Sequence, residues 1–108
     1  MAAKLGLILI LTSPQISSAG TTTADFLKWE RSAQTSFFET SVSMATAIAA
    51  QAKPAIAQCI NDWYHASASQ RAQVHKTILE VMPDYESFHP TTVVLAIIED
   101  ACVRYDDG

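Results

Sequence analysis

A chain of 108 residues, 49% hydrophobic and 17% charged, is large enough for one small domain and too small for two. Eleven Asp and Glu outweigh seven Lys and Arg, and the cations are scattered singly. That balance argues against nucleic acid and anionic membrane surfaces as partners and makes a basic protein the more natural one.

The first nineteen residues read as an export signal. Lys4 is the only charge before Asp25, Leu5 to Leu11 is an apolar run interrupted by Gly6, and Ser17-Ser18-Ala19 offers the small side chains a signal peptidase reads. Cleavage is expected before Gly20, giving a signal peptide over 1–19 and a single helical domain over 20–108. Thr22-Thr23-Ala24 is an alternative site that would start the mature chain at Asp25. A membrane anchor would need about 20 apolar residues, and Thr12, Ser13, Pro14 and Gln15 end the run too early. Without residues 1–19, six Lys and Arg face eleven Asp and Glu, a formal charge of minus five. A domain this small gains from a covalent staple, and an oxidising compartment makes Cys59–Cys102 the expected bridge, the alternative being two buried thiols.

Four helices are expected. In the first, Thr22 or Thr23 can cap, Asp25 sits in the first turn, and Phe26, Trp29, Ala33, Phe37, Met44 and Ile48 form a stripe at helical spacing. Leu27, Phe38, Val42, Ala45, Ala49 and Ala52 lie beside that stripe. The helix is expected to reach about Gln51, with Thr40-Ser41-Val42-Ser43 the place where a bend or break would fall. Pro54 opens a second helix to about His65, with Ile56, Cys59, Ile60, Trp63 and Tyr64 on one face. Ser67 and Gln70, at capping-box spacing, start a third to about Met82, whose thin apolar face of Val74, Ile78, Val81 and Met82 suits a helix covering the core from outside. Pro83 stops it. Thr91-Thr92-Val93-Val94 has the β-branched character of a strand, but no second alternating run exists to pair with it, and Val94, Ile97, Ile98, Ala101 and Tyr105 continue a helical stripe from Pro90.

No catalytic constellation is set out. His65, His75 and His89 share no helical face, so no metal site is expected; His65 reads as a helix-dipole partner, His75 as exposed and His89 as a capping or hinge residue. No serine sits in a nucleophile-elbow glycine context, no glycine-rich phosphate loop occurs, and no cofactor is expected. An enzyme, a small hydrolase, would require His65 or His89 to meet a carboxylate at hydrogen-bond distance. The residues best suited to a partner are the aromatics Tyr64, Tyr85 and Phe88, rimmed by Asp84, Glu86 and His89, since aromatic anchors carry much of the energy of interfaces.

A cysteine opening a helical segment, then Pro83-Asp84-Tyr85, His89-Pro90 and an apolar helix Val93 to Ile98 ending in Glu99-Asp100-Ala101-Cys102, is similar to the small exported immunity proteins of the Rap/Tai kind. That resemblance implies a helical, disulfide-bonded periplasmic protein that binds and neutralises a toxin delivered by type VI secretion, with no catalytic residues. Ser87-Phe88-His89-Pro90-Thr91 also resembles a Ser-Phe-x-Pro-Thr segment of the HdeA-type acid chaperones, small single-bridged helical proteins of the periplasm. The expectation is therefore an exported all-α binding protein, with acid chaperoning as the alternative.

Overall fold

The computed structural model describes residues 21–103. The expected signal segment and its cleavage before Gly20, and Tyr105 with Asp106-Asp107-Gly108, lie outside the described residues. Within them the chain is all helical, with no strand. The elements are α1 (Thr23–Phe26), α2 (Arg31–Ala52), α3 (Pro54–Ile60), α4 (Ala68–Val81) and α5 (Pro90–Ile98). The turns Asn61–His65 and Glu99–Val103 widen the ends of α3 and α5 into π geometry, and a 3-10 turn, Met82–Tyr85, prolongs α4.

The element expected as one first helix is two. Phe26 packs its ring on Phe37 and Phe38, with centroids 5.0 and 5.4 Å apart. On a continuous helix residues 26 and 37 would stand about 16 Å apart along the axis, at 1.5 Å per residue. The chain therefore turns over 27–30, where Gln34, itself buried, donates from Nε2 to the Phe26 carbonyl at 3.0 Å and satisfies the end of α1. At the other end Thr22 and Asp25 form a reciprocal capping box. No break falls at Thr40 to Ser43, and α2 runs unbroken for 22 residues.

The expected stripe of α2 is also displaced. Phe38 and Val42 are buried, with Ala45 and Ala49 packed against them, whereas Met44 is 60% and Ile48 64% exposed. Heavier side chains at 44 and 48 outweigh the true face in sequence, because Ala, Ser and Thr fill the remaining positions and leave the helix nearly uniform around its circumference. The inward face is the one on which Phe38 meets the Phe26 ring.

The remaining boundaries follow local chemistry. Pro54 stands at the first position of α3, after an extended Lys53. Ser67 caps α4 by accepting from the Gln70 N–H at 3.1 Å, but the Gln70 side chain does not return the bond to Ser67. It donates instead to the carbonyls of Asp62 (2.7 Å) and Trp63 (3.1 Å), which the preceding π turn leaves open. α4 is no outer cover: Val74, Ile78 and Met82 sit in the centre of the core with Phe26, Phe38, Ile60, Tyr64, Val94 and Ile98. Cys59 and Cys102 are disulfide-bonded, with Cα atoms 5.7 Å apart, and the bridge ties the end of α3 to the end of α5.

Candidate functional site

The connector between α4 and α5 is anchored at both ends and exposed between them. Met82 and Pro90 are fully buried, while Asp84, Tyr85, Glu86, Phe88 and His89 all face solvent. Tyr85 and Phe88 are 45% and 49% exposed and meet edge to face, with ring centroids 5.6 Å apart. A turn closed by the Phe88 N–H on the Tyr85 carbonyl at 3.1 Å brings the rings together.

This connector is held by a segment far away in sequence. The Thr23 backbone N–H and hydroxyl both donate to the Phe88 carbonyl, each at 2.8 Å, and the Ala24 N–H donates to the Glu86 carbonyl at 3.1 Å. Thr23 is fully buried, so its hydroxyl would be costly to leave without a partner. His89 caps α5, its Nδ1 accepting from the Thr91 N–H at 3.1 Å, as the capping reading expects. Beneath the rings lies an apolar cleft of about 260 Å³ lined by Val81, Tyr85, Phe88, Val93 and Ile97, with Asp100 at its edge. The site can seat an apolar side chain of a partner against two aromatic rings while Asp84 and Glu86 offer negative charge beside it.

Tyr64 does not join this surface. It is 1% exposed, packed between α3 and α4, and its Oη lies 2.7 Å from His75 Nε2. Burial, seconded by the nearby Glu39 carboxylate and opposed by Arg71, pushes the Tyr64 phenol up to about 12. Burial also holds His75 below the ordinary imidazole value; Glu39 works against that shift and Arg71 with it. His75 is thus half-buried rather than exposed. The pair joins positions eleven apart on two different helices, a spacing that no local sequence pattern encodes. His65 Nε2 sits 3.1 Å from Thr46 Oγ1, linking the end of α3 to α2. Among the described residues no group of His, Cys, Asp and Glu has the arrangement of a metal centre, and no helix is long and apolar enough to cross a membrane.

Fold and site together define an all-α, disulfide-stapled protein that presents an aromatic pair and carboxylates on a pinned connector. Compared with protein-family models, curated proteins and solved structures, the chain matches none.

Proposed function

We propose that this chain is an exported protein-binding module, an inhibitor or immunity protein that neutralises a secreted toxin carrying a basic surface. The observation that carries the reading is the Tyr85–Phe88 pair, exposed on a backbone that bonds from Thr23 and Ala24 hold in place. Rings carried on a backbone that is already ordered lose less entropy on binding. The disulfide supports export, because such bridges persist in oxidising compartments. Cleavage before Gly20 would retain Thr22 and Thr23, whereas cleavage before Asp25 would remove the cap of α1 and the donors to Phe88.

The test is affinity capture from the exported fraction of the source cells, using the oxidised chain from Gly20 and, in parallel, a variant with Phe88→Ala, Asp84→Lys and Glu86→Lys. One protein retained by the first and lost by the second, with unchanged helical circular dichroism, is the expected result. Equal retention by both would remove the connector from the binding surface.

The acid-chaperone reading has one observation in its favour. His75 lies half-buried between Tyr64 and Phe38, so acid must place a charge where the neutral ring now packs. It predicts reversible opening near pH 3 to 4, where carboxylates with pKa values of about 4 also protonate, together with suppression of client aggregation. A chain that stays folded and leaves clients to aggregate at that pH has no such role.

A further inference from the structure

Between the start of α2 and the middle of α4 lies a second cleft, of about 580 Å³, unrelated to the connector. Its size falls within the roughly 300–1,000 Å³ usual for small-molecule sites. Its accessible apolar lining comes from Leu79 and Ala72, with the buried Phe38 bordering it, and Arg31 and Lys76 line it together with Thr35 and His75. The His75 ring is hydrogen-bonded to Tyr64 through Nε2 and packs against Phe38. In a chain that keeps only six Lys and Arg beyond residue 19, two of them line this one cleft from different helices. Glu80 is the one carboxylate of the lining, and it pairs with Lys76 at 3.6 Å on the exposed rim. Two cations and one carboxylate line the cleft, and Arg71 and Glu39, which both act on His75, add one charge of each sign, so a net single positive charge remains, which matches a monoanion better than a phosphate dianion.

We infer that this cleft binds a small carboxylate with an acyl or aryl body, its head held by Arg31 and Lys76 and its body laid on Leu79 and Ala72. The incoming carboxylate competes with Glu80 for Lys76. Arg31 supplies a planar fork of donors suited to two carboxylate oxygens, and Lys76 supplies a mobile point charge.

Octanoate, octanol and octylammonium serve as probes of the oxidised chain from Gly20, by calorimetric titration and by amide chemical shifts. Octanoate should bind saturably and shift the amides of residues 31–38 and 72–80. Octanol should bind about tenfold more weakly, for want of the charge-assisted hydrogen bonds, and octylammonium more weakly still. Arg31→Gln and Lys76→Gln should each weaken octanoate about two- to fivefold, and Glu80→Gln should tighten it by a similar factor, the size expected of exposed charge pairs. All three positions are exposed, so the fold should survive each change. Equal binding of octanoate and octanol, shifts confined to other faces, no binding at millimolar octanoate, or affinity unmoved by Glu80→Gln would each overturn the assignment.

Discussion

Tyr64 and His75 meet through a 2.7 Å hydrogen bond between Oη and Nε2, which joins the end of α3 to α4 beside the Phe38 ring. Burial holds the folded-state pKa of His75 below the 6.5 of an ordinary imidazole, with Glu39 and Arg71 the charged groups acting on it. As pH falls below about 6.5 the unfolded chain takes up a proton there before the folded protein does, so stability must fall with pH in that window. Urea unfolding between pH 7 and pH 5 should show this loss, and His75→Gln should make the slope shallower. A difference between the two proteins that does not vary with pH would mean that His75 is not its source.

The inward face of α2 is testable by truncation. Phe38→Ala, at a 1% exposed position, should cost about 3–5 kcal/mol of unfolding free energy. Ile48→Ala, at a 64% exposed position, should change it by no more than about 0.5 kcal/mol. Denaturant midpoints decide between them. The opposite order would restore the stripe through Met44 and Ile48 as the core face.

The bridge closes a loop between positions 43 apart. Replacing Cys59 and Cys102 together by serine should lower stability by about 2–5 kcal/mol, mainly by releasing the unfolded chain. Reducing the wild-type protein should reproduce the shift, measured as the loss of thermal midpoint in dithiothreitol. If reduction leaves the midpoint where it was, the bridge contributes nothing to stability.

Thr23→Val removes the hydroxyl donor to Phe88 but keeps both the backbone N–H bond and the side-chain volume. The expected cost is about 1 kcal/mol, together with faster hydrogen exchange at the amides of Thr23 and Ala24, which are bonded to the connector. Affinity for the captured partner should fall more than global stability does. Unchanged exchange at both amides would show that the hydroxyl does not hold the connector.

Much of the local structure was legible in the sequence because it rests on neighbours along the chain. The Pro54 boundary, the Ser67 cap, His89 and Pro90 at the start of α5, and the helical rather than strand state of Thr91 to Val94 follow from backbone chemistry within a turn or two. The segment around Asp84 to His89 was legible as a short connector for the same reason: it lies between a Pro-marked stop and a Pro-marked start. Helical spacing already puts Tyr64 on one face with Ile56, Cys59, Ile60 and Trp63, against its place on that surface; its partner, His75, belongs to another helix and cannot be inferred from spacing.

By itself, the sequence determined that the chain is helical, where most helices begin, and which two cysteines can pair, since propensity, caps and a count of two need no distant contact. Only the tertiary structure decided which side of α2 faces inward, that the first helix divides after Phe26, that Tyr64 and His75 form a hydrogen-bonded pair, and that Thr23 pins Phe88. Each of those depends on side chains brought together from separate helices, where ring packing and the cost of an unpaired buried donor outweigh local preference.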